Sequence, residues 1–284
     1  MLSESICFIG AGAMAEAIIG GLLEKKLTRP DSIFVLNKAD DMRLKTLKQR
    51  YGIVCPEPER KADALRGAQI VVLAVKPKDV AEAMTAWGSS LRSGQHVLLS
   101  VVAGVSTHHL EGFVRAEIPI VRAMPNTSCT VGRSATGLAA GRWARPAHVK
   151  LAEQLFQSVG TVVTLDEEQL DAVTGLSGSG PAYVYYLVEA MEQAGIDAGL
   201  RPETARQLTV QTLIGAAEML ARTNEEPALL REKITSPGGT TFAGLEVLRA
   251  HDFSHAVHAA VLSARDRAKQ LGEQLAPVGG ILHK

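Results

Sequence analysis

The chain opens with the apolar run Ile6 to Ile9, then the small-residue stretch Gly10-Ala11-Gly12-Ala13-Met14-Ala15, then Ala17 to Leu27, where apolar positions recur every three to four residues. That order predicts strand, glycine turn and helix. The alternation continues, with strands predicted over Ile33 to Leu36, Gln69 to Val75, His96 to Val101, Ile118 to Val121 and Thr161 to Leu165. Helices are predicted near Asp40 to Tyr51, Asp79 to Trp87, Ser106 to Phe113 and Pro146 to Ser158. Strands that alternate with helices need crossover connections, so the pattern predicts an α/β fold with a mostly parallel sheet and helices on both faces.

After about Asp166 the strand-like runs disappear, and long stretches rich in Ala, Leu, Glu and Gln take three-to-four-residue apolar spacing. The change divides the chain into residues 1–165 and an all-helical region, 166–284. Helices are predicted over Gln169 to Val173, Pro181 to Ala194, Pro202 to Arg222, Ala228 to Ile234, Thr241 to Arg249 and Ser254 to Gln274. Pro181 and Pro202 suit first-turn positions, and Gly195 and Gly199 suit the exit between two of these helices. Leu208, Val210, Leu213, Ile214, Ala216, Ala217, Met219 and Leu220 surround most of one helix. Such a helix is either part of a subunit interface or a core helix of a large monomer. The tail Pro277 to Lys284 has no periodicity and reads as a loose end.

Composition narrows the function classes. A chain of 284 residues can bury about three quarters of its unfolded surface, so core size is no obstacle. Thirty basic and thirty acidic residues cancel, which leaves no whole-chain attraction to nucleic acid or to an anionic membrane. Any anionic ligand must therefore be held by local groups. Cys7, Cys55 and Cys129 are odd in number and widely spaced, which suggests neither a disulfide framework nor a zinc site. Met1 to Ile9 lacks an export signal, and no run of 18 apolar residues occurs, so a soluble cytoplasmic protein is expected.

Gly10, Gly12 and Ala15 match GxGxxA, placed after the first strand and opening the first helix. The first glycine allows the tight turn, the second lets a pyrophosphate approach the backbone, and Ala15 packs the helix closely. Gly10, Gly12, Ala13 and Met14 are thus candidate cofactor contacts, the alternative being a turn whose small residues only let helix and strand pack closely. The second strand ends in Leu36-Asn37-Lys38 instead of the Asp or Glu that would accept from the 2′-hydroxyl of NAD. Asn37 can donate to a 2′-phosphate, and Lys38 either pairs with it, which favours NADPH over NADH, or is an ordinary solvated surface lysine with Asp40 and Asp41 close by. Other strand ends face the same crevice in a parallel sheet. Ala74-Val75-Lys76-Pro77 and Val101-Val102-Ala103-Gly104 are placed to border the ribose and nicotinamide. Asn126 either bonds the carboxamide or the substrate edge, or serves a turn.

In the helical region, Thr235-Ser236-Pro237-Gly238-Gly239-Thr240-Thr241 separates two predicted helices. Pro237 stops the first of them, and Thr240 and Thr241 place amides at the start of the next, where an anion is favoured. The loop is either a carboxylate or phosphate receptor or an N-capped turn, with Thr241 as one candidate cap. Ser177-Gly178-Ser179-Gly180 either bends a helix against the nicotinamide or kinks it for packing.

Gly10 to Ala17, Ala74 to Pro77, Met124 to Thr127, Ser177 to Tyr183 and Leu229 to Leu245, in this order, resemble the pyrroline-5-carboxylate reductase family over nearly the whole chain. The resemblance implies an N-terminal Rossmann-like doubly wound sheet and a C-terminal all-helical dimerisation domain, the dimers often assembling into decamers. It implies reduction of 1-pyrroline-5-carboxylate to proline by NAD(P)H, without a metal. Carried over by position, Ser236, Gly239, Thr240 and Thr241 bind the substrate carboxylate, and Thr241 also bonds the ring nitrogen as the catalytic positioner. A glutamate upstream of the loop contacts that nitrogen through water in some members, and Glu225 and Glu226 both fit. The alternatives are a β-hydroxyacid dehydrogenase or imine reductase of similar build, or a non-catalytic NADP sensor. Glu168 to Ala194 contains no lysine, which argues for an imine over an alcohol.

Overall fold

The computed structural model describes residues 2–38, 40–114 and 116–275. The tail read as loose lies outside the described residues. The first half alternates as β1 (Ile6–Ile9), α1 (Ala13–Glu24), β2 (Ile33–Leu36), α2 (Asp41–Tyr51), α3 (Lys61–Gly67), β3 (Ile70–Leu73), α4 (Val80–Trp87), β4 (Val97–Ser100), α5 (Thr107–Glu111) and β5 (Ile120–Met124). Then come β6 (Ser134–Ala140), α6 (Pro146–Phe156), β7 (Gly160–Thr164) and α7 (Leu170–Val173). The rest is helical: α8 (Gly180–Asp197), α9 (Pro202–Thr223), α10 (Pro227–Lys233), α11 (Thr240–Ala250) and α12 (Phe253–Leu275).

The seven strands form one sheet in the order β2-β1-β3-β4-β5-β6-β7, with β1 to β5 parallel. β6 runs antiparallel to β5, and β7 parallel to β6. Each strand of a two-sided sheet must be apolar on both faces, which is why the central strands read as unbroken runs. Ile6 and Phe8 enter one core with Ile18, Leu22 and Phe156, while Cys7 and Ile9 enter the other with Val71, Met84 and Leu110. Burial alone pushes the Cys7 thiol up to about 12, so it behaves as a small apolar core residue.

Three local elements differ from the sequence reading. β6 was not expected, because Ser134-Ala-Thr-Gly-Leu-Ala-Ala140 is poor in β-branched residues. Its small residues admit α7: a Cβ on Gly137 would stand 3.0 Å from Leu170 and 3.1 Å from Val173. The fifth strand lies two residues later than predicted and includes Arg122, which is 4 % exposed and faces Glu167 at 3.4 Å and Asp171 at 3.8 Å. α3 also went unread, since its seven residues carry too little periodicity.

Among the described residues, those up to Ser179 and 262–275 form one compact unit, and Gly180–Val261 forms the other. The first unit therefore includes the end of α12, where Gly272 lies under the carbonyl of Gly104. In the second unit α8 and α9 pack along each other, with Gly195 admitting Ala205. No helix among the described residues is long and apolar enough to cross a membrane.

Candidate active site

Strand register gathers several of the residues predicted to contact a nucleotide. Ile9 lies opposite Leu36 on one side and Leu73 on the other, so Gly10, Asn37 and Ala74 emerge at one edge of the sheet. The Gly10 amide donates to the Leu36 carbonyl at 2.9 Å and the Ala74 amide to that of Ile9 at 2.9 Å, which draws the three strand ends together. Gly10 has φ +109°, and a Cβ there would stand 2.4 Å from the Ala74 oxygen. No side chain fits.

Gly12 is different. It is the N-cap of α1 and makes no side-chain cap bond, and a Cβ on it would meet nothing within 4 Å. The amides of Ala13 and Met14 fall in the first turn, where a helix has no internal acceptor for them. Ala15 behind them is fully buried. An uncapped helix start with open space over the glycine fits a pyrophosphate. Gly10, Asn37, Lys38 and Val75 line one cleft of about 420 Å³ with Ile9, Leu36, Lys61, Asp79, Glu82 and Trp87. Lys76 is exposed beside it and Pro77 begins the next 3₁₀ turn.

The charges in this cleft were only partly legible in sequence. Lys38 is ion-paired with Glu82, and the Asn37 side chain accepts from the Lys38 amide at 2.9 Å. Lys61, which sequence reasoning passed over, donates to the Asn37 carbonyl at 2.8 Å. Nothing in the local sequence marks Lys61, because only the pairing of β1 with β2 and β3 brings the start of α3 to this edge.

Behind the glycine turn, Arg43 Nε donates to the Ala11 carbonyl at 2.8 Å and Arg43 also pairs with Glu16. Arg50 donates to the same carboxylate at 2.9 Å, and the Tyr51 hydroxyl donates to it at 3.3 Å. Burial pushes the Glu16 carboxyl up, but the hydrogen bonds and charges of Arg43 and Arg50 outweigh it and hold the group below its usual range.

Asn126 is largely committed to structure. Its Oδ1 accepts from the Ser128 amide at 3.1 Å and its Nδ2 donates to the Ser177 carbonyl at 2.9 Å, which leaves one amide hydrogen. Ser177 belongs to a π-helical turn, Thr174–Gly178, that precedes α8. The bend read at Ser177 to Gly180 is this turn, and a Cβ on Gly178 would stand 2.8 Å from the Met124 terminal methyl.

In the helical unit α10 ends at Lys233, ahead of Pro237, and Thr235 Oγ1 donates to the Arg231 carbonyl at 2.6 Å. Gly238 takes φ +70°, and the Gly239 amide turns back to the Ser236 carbonyl at 2.9 Å. Gly239 is the N-cap of α11, with no side chain bonded to the first-turn amides. Thr240 and Thr241 are the first two helical residues, so neither is the cap. Glu225 is ion-paired with Lys233, and Glu226 is the N-cap of α10.

Comparison with known proteins adds to this geometry. Residues 167–271 match the family model described as pyrroline-5-carboxylate reductase dimerisation, and residues 5–104 match one described as NADP oxidoreductase coenzyme F420-dependent. Pyrroline-5-carboxylate reductase 1 of Bacillus subtilis is 40 % identical over 283 residues, covering 98 % of this chain and 94 % of the relative. A solved pyrroline-5-carboxylate reductase of Coxiella burnetii superposes with a TM-score of 0.88 at 36 % identity, covering 95 % of this chain and 99 % of that one. A Plasmodium falciparum pyrroline carboxylate reductase solved with NADP bound gives 0.83 at 28 % identity, covering 96 % and 99 %.

Proposed function

The chain belongs to the pyrroline-5-carboxylate reductase family, and from that membership we propose how its own residues carry the reaction. It is an NAD(P)H-dependent oxidoreductase that reduces the cyclic imine 1-pyrroline-5-carboxylate to proline. The observation that carries the residue-level reading is the uncapped start of α11, where the amides of Thr240 and Thr241 lie free beside two threonine hydroxyls and Ser236.

The reaction asks for an anchored carboxylate, an imine carbon presented on one face, and a proton on nitrogen. The amides of Thr240 and Thr241 and the Ser236 hydroxyl grip the carboxylate, assisted by the positive end of the α11 dipole. Gly239 contributes the turn, since its own amide is spent on Ser236. Thr241 directs its hydroxyl to the ring nitrogen. Protonation of that nitrogen makes the ring carbon a strong electrophile, so orientation supplies much of the rate; well-aligned intramolecular reactions gain roughly 7–11 kcal/mol in this way. The pairing of Glu225 with Lys233 favours water as the immediate proton source.

In the other unit, Gly10, Gly12, Ala13 and Met14 hold the pyrophosphate, with Asn37 and Lys38 at the adenosine ribose. Ala74, Val75, Lys76 and Pro77 border the dinucleotide, and Asn126 shapes the nicotinamide end. When bound, the reduced nicotinamide supplies the hydride. Residue 166, where all-helical periodicity begins, is the boundary proposed between the cofactor part and the substrate and dimerisation part, although residues 166–179 and the end of α12 belong to the first compact unit. The helices after it form a homodimer, which accounts for the exposure of Tyr185, Tyr186, Leu208, Ile214 and Val247. Reducing, soluble surroundings such as the cytoplasm suit the three free thiols.

The test is loss of NADPH absorbance with 1-pyrroline-5-carboxylate, with proline identified as product. Dinucleotide binding without turnover would favour a sensor instead. Turnover only with β-hydroxyacids would overturn the imine assignment.

A further inference from the structure

The adenosine end of the cleft carries two cations, Lys38 and Lys61, and two carboxylates, Asp79 and Glu82. They are not equivalent. Lys38 and Glu82 form an ion pair whose side chains are 76 % and 58 % exposed, so the Lys38 charge is offset by a neighbour and screened by water. Lys61 has no carboxylate partner among the described residues and is half-buried. Its ammonium is held by the Asn37 carbonyl, at the end of β2. An ammonium has three donors and that carbonyl takes one, so two remain for an incoming anion. The end of the second strand is where this fold places the adenosine ribose.

We propose that Lys61 is the residue that selects NADPH over NADH, donating to the 2′-phosphate, and that Glu82 tempers the preference by competing for Lys38. The assignment rests on the dinucleotide reading above. A 2′-phosphate carries nearly two negative charges at neutral pH and offers acceptor oxygens to a fixed ammonium. The neutral 2′-hydroxyl of NADH offers no charge to Lys61. The preference thus has opposed parts: Lys61 favours the phosphate, whereas Glu82 and Asp79 repel it. Anchorage on a backbone carbonyl lowers the entropy cost of placing a long side chain, an advantage that exposed Lys38 lacks.

Dissociation constants of the full-length protein for NADPH and NADH, read from nicotinamide fluorescence, test this without turnover. Calorimetry with 2′,5′-ADP and 5′-AMP isolates the phosphate. Lys61→Met is expected to weaken NADPH and 2′,5′-ADP about 10–100-fold, the loss of a charge-assisted hydrogen bond, and to leave NADH and 5′-AMP within about twofold. Lys61→Arg should restore most of the lost affinity, and Glu82→Gln should tighten NADPH about two- to fivefold. Equal losses for both dinucleotides would make Lys61 a structural brace and overturn the assignment, as would an unchanged NADPH constant. A wild-type protein that prefers NADH would overturn it while leaving the dinucleotide site intact. One that binds neither dinucleotide would remove the site and the assignment together.

Discussion

The side-chain nitrogen of Asn126 donates to the carbonyl of Ser177 at 2.9 Å, joining the loop after β5 to the π-helical turn before α8. A π turn leaves backbone groups out of the regular ladder and needs an outside partner. Asn126→Ala strands the Ser177 carbonyl and the Ser128 amide together, so a loss of about 1–3 kcal/mol in urea unfolding is expected. Asn126→Asp keeps the acceptor for Ser128 but sets a carboxylate against a carbonyl, and should be worse than alanine. Equal stability of the two variants would dissolve the brace.

Gly10 and Gly12 separate folding from binding. Gly10→Ala forces a Cβ to within 2.4 Å of the Ala74 oxygen at φ +109°, and should give poorly soluble protein or a strongly lowered Tm. Gly12→Ala puts its methyl into open space, so stability should fall by no more than about 1 kcal/mol, the cost of a poorer N-cap. Its NADPH affinity should nevertheless fall at least about tenfold, as the methyl occupies room the pyrophosphate needs. Unaltered affinity in a folded Gly12→Ala protein would place the pyrophosphate elsewhere.

Thr241→Ala should lower kcat/KM by about 1–3 kcal/mol through loss of a polar contact to the substrate. Because Gly239 and not Thr241 caps α11, the Tm should scarcely move, and NADPH affinity should be unchanged. A large fall in Tm with normal kcat/KM would return Thr241 to a structural role.

Glu16 links stability to pH. Its carboxyl is held below the usual carboxylate range against the pull of burial, by Arg43 and Arg50. A depressed carboxyl contributes stability that is complete above its unfolded value and lost as pH falls through the folded one. Unfolding free energy should therefore drop more steeply from about pH 5 to pH 3 in the wild type than in Glu16→Gln. At neutral pH the variant should be about 1–3 kcal/mol less stable, since Arg43 loses its partner. Parallel pH profiles would contradict the linkage.

Ile214 is half-exposed on α9, on a helix with apolar residues around most of its circumference. Ile214→Asp would desolvate a carboxylate in an apolar interface, so sedimentation should show a dimer dissociation constant raised at least about 100-fold. A wild-type monomer at micromolar concentration would remove the interface.

Much of the candidate site was legible because its chemistry is local. The glycine turn, the carboxylate-free end of β2 and the Thr235 to Thr241 loop each place their groups within a few consecutive residues. Lys61 and Glu82 were not legible, since each is an unremarked charged residue on its own helix and acquires meaning only across strands. Asn126 lay between: its loop was readable, but not its bond to a residue far along the chain.

By itself the sequence determined the alternation of buried strands and helices, the change to all-helical periodicity after Asp166, and the family motifs, because period and turn chemistry are properties of neighbouring residues. Tertiary structure alone decided that small-residue β6 is a strand, that Arg122 is buried, and which of the two lysines lining the cleft has no carboxylate partner among the described residues. Those outcomes depend on which distant atoms arrive at a given point, and only the sheet register and helix packing set that.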